Sequence, residues 1–150
     1  MRAVLQRVSW AKVVIDGETA GEIARGLLVY LGVGKGDEDR DRAWLLDKIL
    51  GLRIFPNDAG KMDKSVLDVG GSLLVVSQFT LYGDLKRGRR PSFDDAMPPA
   101  EANAAYEAFL RDARARLPVA CGRFAADMAV SSENDGPVTI WIDSKLGFSP

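Results

Sequence analysis

Short alternating stretches of apolar and polar residues dominate this 150-residue chain, interrupted by one continuous apolar run and two stretches of helical period. Val4 and Val8, with Gln6-Arg7 between them, read as a first strand. Val13-Val14-Ile15 and residues 18–23 flank Asp16-Gly17 and read as a hairpin, because a type I′ turn requires positive φ at both central residues. Residues 27–33 are apolar throughout, which predicts a strand buried on both faces. Asp37 is placed to cap a helix whose first turn holds Glu38 and Asp39. Trp44, Leu45, Leu46, Ile49 and Leu50 form its apolar face, and Gly51 its stop.

Residues 52–55 predict a short strand, followed by a turn at Pro56-Asn57-Asp58-Ala59-Gly60. After Gly70-Gly71 a long strand is predicted over residues 72–81. Pro98-Pro99 opens a second helix, in which Ala102, Tyr106, Phe109, Leu110, Ala113 and Leu117 share one face until Pro118 ends it. Strand-like alternation returns over residues 123–125, 128–132 and 138–142, with Asn134-Asp135-Gly136-Pro137 read as the turn joining the last two. The order predicts a single α/β domain over residues 1–144, with a mixed or largely antiparallel sheet and helices packed on it. Residues 145–150 are expected to form a loosely held tail.

Composition narrows the function. Net charge is −1, which argues against a protein coated in nucleic acid but allows a local basic patch. The single cysteine, Cys121, excludes an internal disulfide framework and fits a reducing, cytoplasmic setting. The N-terminal charges are too closely spaced for a signal-peptide core, and no apolar run reaches the ~20 residues of a membrane span. Gly32-Val33-Gly34-Lys35-Gly36 lacks the Gly-Lys-Ser/Thr ending of a phosphate loop and reads as a plain turn. The chain has no histidine, so any chemistry must proceed without an imidazole.

Three segments could carry chemistry. Ser77-Gln78-Phe79-Thr80 reads, on alternation alone, as an edge strand facing solvent. It also offers two hydroxyls, an amide and free backbone N–H groups, a set that can stabilise an oxyanion in acyl transfer. A hydroxyl nucleophile there would need a carboxylate, a lysine or a group on the substrate as its base. Gly136-Pro137, if cis, would aim two consecutive carbonyls the same way and accept an ammonium group; spacing alone leaves the isomer open. Lys86, Arg87, Arg89 and Arg90 read as a solvated loop, or as a grip on phosphates. Phe124 and Met128 read as core residues, and Asp94-Asp95 as a surface turn.

Taken together, these blocks resemble the D-aminoacyl-tRNA deacylase family. The matching segments are Leu5-Gln6-Arg7-Val8, Asp16-Gly17, Gly26-Leu27-Leu28-Val29, Leu31-Gly32-Val33, Lys48-Ile49-Leu50 and Leu52-Arg53-Ile54-Phe55. Ser77-Gln78-Phe79-Thr80-Leu81, Gly88-Arg89-Arg90-Pro91-Ser92-Phe93 and Asn134-Asp135-Gly136-Pro137-Val138-Thr139 complete the set. The resemblance implies the curved sheet of the deacylase-like fold in a cytoplasmic homodimer that hydrolyses the ester between a D-amino acid, or mischarged glycine, and the 3′ end of tRNA. It implies that Gly136-Pro137 is cis and reaches into the partner subunit's pocket, where its carbonyls hold the α-amino group and exclude an L side chain. It places Ser77, Gln78, Phe79 and Thr80 at the ester, and Phe124 and Met128 at the terminal adenine. Lys86, Arg87, Arg89 and Arg90 would bind tRNA. Neither metal nor cofactor, membrane nor DNA enters this expectation. On this reading main-chain N–H groups near Phe79 and Thr80 hold the oxyanion, and the ribose 2′-hydroxyl assists a water; the competing mechanism makes Thr80 a nucleophile. The alternative functions are an editing module for another mischarged tRNA and a non-catalytic protein that binds the tRNA 3′ end.

Overall fold

The computed structural model describes residues 1–147. Its backbone is a strongly curved mixed sheet with helices on one face. Strand β1 (Arg2–Ile15) is continuous where two separate strands are predicted, and Asp16 and Gly17, with φ of 51° and 78°, close the expected hairpin to β2 (Glu18–Ile23). The burial alternation of β1 slips at Arg7-Val8, both buried, where its register with the last strand also shifts. Strand β3 (Gly26–Gly32) is buried nearly throughout, as the apolar run predicts. It pairs antiparallel with β1 and parallel with β6 (Ser72–Ser77), which pairs parallel with β7 (Val119–Cys121). Parallel neighbours need crossover connections. Helix α1 (Asp39–Gly51) lies in the first, between β3 and β6, and α2 (Pro99–Arg114) in the second.

Both helices pack on one face. Leu45 and Ile49 of α1 and Tyr106, Phe109 and Leu110 of α2 join Leu5, Leu27, Val29, Leu31, Leu73 and Val75 in the main core. Each of these large side chains contributes roughly 1.5–3 kcal/mol on burial. The sheet curls until β2 meets β7 at Gly21 and Cys121. A second core, with Val8, Ala11, Val13, Leu28, Leu74 and Val76, fills the inside of the curl. The structure is therefore the expected α/β fold, with the sheet bent nearly into a barrel.

Several local expectations are corrected. Glu38, not Asp37, is the cap of α1; its N–H donates to Asp41 Oδ2 (2.9 Å) in a capping box, while Asp37 accepts from the Gly34 N–H (2.7 Å). Of residues 52–55 only Phe55 enters a strand, β4 (Phe55–Pro56), paired with an unpredicted β5 (Met62–Lys64). Residues 123–125 form no strand; the backbone of Ala125 sits at φ 61°. Strand β8 (Ala129–Asp143) runs without interruption through Asn134-Asp135-Gly136-Pro137, because its pairing with β1 absorbs that segment as an irregularity instead of a turn. The chain after Asp143 is not loose at first: α3 (Ser144–Gly147) is tied to α1, and the rest of the expected tail lies outside the described residues.

That tie is ionic. The buried Asp41 carboxylate accepts from Ser144 Oγ (2.6 Å) and Lys145 Nζ (2.9 Å), and the Met1 α-ammonium donates to the same Ser144 hydroxyl (2.6 Å). Burial alone would raise the pKa of Asp41; the bonds from Ser144, the Glu38 N–H and Lys145 outweigh it and hold the pKa at about 2, against 3.8 ordinarily. A depressed carboxylate pKa stabilises the fold above the unfolded value and loses that contribution as pH falls through the folded one. Stability of about 2 kcal/mol should therefore disappear between about pH 4 and pH 2. Asp41→Asn should lower the melting temperature at neutral pH by about 4–8 °C and flatten the acid limb. Thermal melts across that range check both; an acid limb as steep as wild type would remove Asp41 as its source.

Candidate active site

Strand β6 ends at Ser77 instead of running on to Leu81. Gln78 donates its N–H to Leu31 O (2.8 Å), and Phe79–Tyr82 forms a single 3₁₀ turn folded back over the end of β3. Gly32 makes the fold-back possible: a Cβ there would lie 3.0 Å from Gln78 O and 3.2 Å from both Leu81 Cβ and the Tyr82 ring. Bonds within the turn begin at the Leu81 N–H, which donates to Gln78 O (3.3 Å), and end with Gly83 N–H to Thr80 O (3.0 Å). The N–H groups of Phe79 and Thr80 are the first of the turn, the donors that such a helix cannot satisfy from within. The Gln78 side-chain amide donates to Thr80 Oγ1 and holds that hydroxyl against the turn.

Beside this turn lies a cavity of about 300 Å³. Phe79 stands 56% exposed at its edge, stacked edge-on against Phe93 with centroids 4.9 Å apart. Phe124 forms part of the wall and touches Tyr106 (6.1 Å between centroids), and Met97 and Pro98 contribute further apolar surface. Among the described residues, Ser77 is the one in the lining with a polar side chain, and no carboxylate or lysine reaches it. The two nearby phenols stay protonated. Burial pushes the Tyr106 hydroxyl, which donates to Val75 O (2.9 Å), well above its ordinary value. Burial, then the Asp37 charge, does the same to Tyr82. The cavity offers a largely apolar, partly aromatic lining with no titrating side chain among the described residues.

The structure brings Ser77, Phe79 and Phe124 together at this cavity and sets Gln78 and Thr80 on the adjoining turn. Met128 is elsewhere: it packs on the second core beside Gly122 and does not line the cavity. Lys86, Arg87, Arg89 and Arg90 occupy an exposed loop closed by the Asp84–Ser92 bridge. Arg87 and Arg90 face a second, 220 Å³ cavity with Asp84, Ser92, Asp94 and Asp95.

Gly136-Pro137 is also distant. Its bond is cis. Register places it opposite Arg7, hence level with Leu27 and Leu73, three strands across and four residues along from Ser77. At about 4.8 Å per strand and 3.3 Å per residue, the separation measured along the curved sheet is roughly 20 Å. Both residues are exposed. Asn134 straps the segment, accepting from the Val138 N–H at Oδ1 (2.8 Å) and donating from Nδ2 to Val138 O (3.3 Å). Arg7, nearly buried, donates from Nε to Asp135 O (2.8 Å) and from Nη1 to Ile54 O (2.6 Å). Arg7 has no assigned role among the expectations from sequence; its signals there are its place in the Leu5-Gln6-Arg7-Val8 block and a charge beside Val8 where the burial alternation slips.

The family model described as D-Tyr-tRNA(Tyr) deacylase matches residues 4–143. The chain is 57% identical over 149 residues to the D-aminoacyl-tRNA deacylase of Thermotoga petrophila, covering 99% of this chain and 100% of that protein. It is 56% identical, over the same shares, to the protein of that name from Clostridium tetani. Among solved structures, one described as c-Myc DNA Unwinding Element Binding Protein superposes with a TM-score of 0.91 at 40% identity, covering 95% of this chain and 98% of that one. A probable eukaryotic D-amino acid tRNA deacylase superposes over the same shares with a TM-score of 0.81 at 18% identity, a likeness of fold.

Proposed function

Because the chain belongs to the D-Tyr-tRNA(Tyr) deacylase family, we propose that its cavity and 3₁₀ turn form the site at which it hydrolyses D-aminoacyl-tRNA. The protein is a hydrolase, and its substrate class is tRNA esterified with a D-amino acid. The observation that carries the site assignment is an apolar cavity of about 300 Å³ beside a 3₁₀ turn whose first N–H groups find no partner within the turn, with no titrating side chain in its lining among the described residues. The terminal adenine enters against Phe124, while the ester carbonyl lies over the turn. As the tetrahedral intermediate forms, its oxygen gains charge and the Phe79 and Thr80 N–H groups stabilise it. Water attacks, assisted by the 2′-hydroxyl of the terminal ribose, and the 3′-oxygen leaves with a proton. Ser77 and Gln78 order the site. Arg87, Arg89, Arg90 and Lys86 meet the tRNA phosphates through an interaction that weakens with salt.

Chirality is read in trans. With some 20 Å between Gly136-Pro137 and Ser77 in one chain, the two meet only if a second copy supplies the first. Strand β8 offers a surface for such a copy. Trp141, 52% exposed, lies in one cross-strand row with Val4, Tyr30 and Val76, on the face opposite the helices. In this homodimer the partner copy's Gly and Pro carbonyls accept the α-ammonium and occupy the space an L side chain would need, so selection works by exclusion. Glycine, with no side chain to exclude, is a marginal substrate. This reading places the protein in the cytoplasm with tRNA as partner. It includes no DNA ligand, in keeping with a net charge of −1.

Purified protein at substoichiometric concentration should release D-tyrosine from D-tyrosyl-tRNA over many turnovers and leave the L-ester intact. Comparable hydrolysis of both would end the chiral reading; binding without turnover would make it a tRNA 3′-end binder.

A further inference from the structure

The 3₁₀ turn that presents the Phe79 and Thr80 N–H groups is only four residues long and holds itself with weak internal bonds. Its orientation therefore depends on what grips it from outside. At its start the grip is Gln78 N–H on Leu31 O. At its end the Tyr82 hydroxyl makes a long bond to Asp37 Oδ2 (3.4 Å), and the closer grip is Arg2. The guanidinium Nη1 donates to Leu81 O (3.1 Å), and its central carbon lies 4.4 Å from the centre of the Tyr82 ring, so it holds two consecutive turn residues. Nε donates to Asp143 Oδ2 (2.9 Å), directly across the β1–β8 pairing. Asp143 is itself fixed: its side chain is 8% exposed and its other oxygen accepts from the Lys145 N–H (2.9 Å).

We propose that Arg2 is a positioning residue for the reaction: anchored on Asp143, it fixes the far end of the turn and with it the aim of the oxyanion donors. The proposal rests on the role given above to the Phe79 and Thr80 N–H groups. The planar fork is what permits it. One face covers a ring while two edges reach a carboxylate and a carbonyl, a combination that a lysine ammonium lacks. Arg2 is 33% exposed, while its partner Asp143 is buried, so a melting curve must accompany each variant. The main effect of Arg2 is on geometry, since a displacement of about 1 Å at donors to a transition state can reduce rate by as much as 100-fold.

Arg2→Met should lower kcat for D-aminoacyl-tRNA by about 10- to 100-fold. KM should change less than about threefold, because ground-state binding does not use the oxyanion donors. Affinity for a non-hydrolysable D-aminoacyl amide of 3′-amino-3′-deoxyadenosine should hold. Arg2→Lys should recover part of kcat, and Asp143→Asn should lose about fivefold. A role in stability alone would reduce amide affinity and turnover together, in step with loss of folded protein. If Arg2→Met does not fold, Asp143→Asn, which keeps the Arg2 side chain, decides. Wild-type kcat in either folded variant, or parallel loss of amide affinity and turnover, overturns the proposal. Failure of the wild-type protein to hydrolyse the D-ester would instead overturn the function on which it rests.

Discussion

Gly136→Ala is expected to reduce D-aminoacyl-tRNA hydrolysis by about 100-fold while the protein remains folded. Gly136 sits at φ 149°, and a Cβ built there would lie 2.8 Å from both the Val138 nitrogen and Val138 Cγ2, and 3.3 Å from an Arg7 guanidinium nitrogen. None of these neighbours yields easily. Val138 is buried and its N–H is bonded to Asn134 Oδ1; Arg7 is held by Asp135 O and Ile54 O. The backbone must therefore move, and its carbonyls move with it. The backbone penalty is about 1–3 kcal/mol, which a domain of this size survives. The loss should fall on the D-ester, with residual hydrolysis of the L-ester rising relative to it as the excluding carbonyls shift. Turnover of both esters on one tRNA, alongside a melting curve, measures this. Wild-type rate and selectivity in a folded Gly136→Ala protein would take this segment out of the site. An in-trans role adds a further expectation: mixing Gly136→Ala with a protein defective only in its 3₁₀ turn should regain activity in the mixed dimer.

The second large effect lies on the substrate. D-aminoacyl-tRNA ending in 2′-deoxyadenosine should be hydrolysed about 100-fold or more slowly, the usual contribution of a positioned proton-transfer group. The lining of the cavity supports this: among the described residues it carries Ser77 as its one polar side chain and no carboxylate or lysine, and Tyr82 and Tyr106 are held protonated. With no histidine in the chain, the proposed mechanism draws the assistance to water from the RNA. Thr80→Ala provides the contrast. If Thr80 were the nucleophile, its loss would abolish turnover and the 2′-hydroxyl would matter little. Since the Thr80 hydroxyl is engaged by Gln78 and its backbone N–H carries the proposed function, Thr80→Ala should keep turnover within about tenfold of wild type. Single-turnover rates on the two substrates with the two proteins separate the mechanisms. An unchanged rate on the deoxy substrate removes the 2′-hydroxyl from the reaction.

Periodicity and turn chemistry were sufficient for the local frame. The apolar run of β3, the Asp16-Gly17 hairpin and the two amphipathic helices stand where the pattern places them, because each is decided by burial of a face or by φ at one or two residues; α2, however, stops at Arg114, short of the expected end at Pro118. The errors share a cause. Residues 72–81 read as one strand because the apolar run 73–76 passes into short polar and apolar residues with no Gly or Pro between, yet the chain turns at Gln78, since Gly32 on another strand leaves room for the turn and Leu31 supplies its bond. Asn134 to Pro137 has the composition of a turn and is instead an irregular stretch of a 15-residue strand, because β1 pairs on both sides of it. In both places a long-range partner overrode local preference.

The site divides in the same way. Residue types alone, through the absence of histidine and the Ser77-to-Thr80 and Asn134-to-Thr139 segments, pointed to chemistry by backbone donors and to the deacylase family. The tertiary structure decided which of those residues share a cavity, left Met128 out of it, and revealed Arg7 and Arg2 as side chains that hold the two candidate segments. It also set those segments three strands and four residues apart along the sheet. Local patterns encode which face is buried and where φ must be positive. Distance across a sheet follows from strand order and register, which arise only when segments remote in sequence pair.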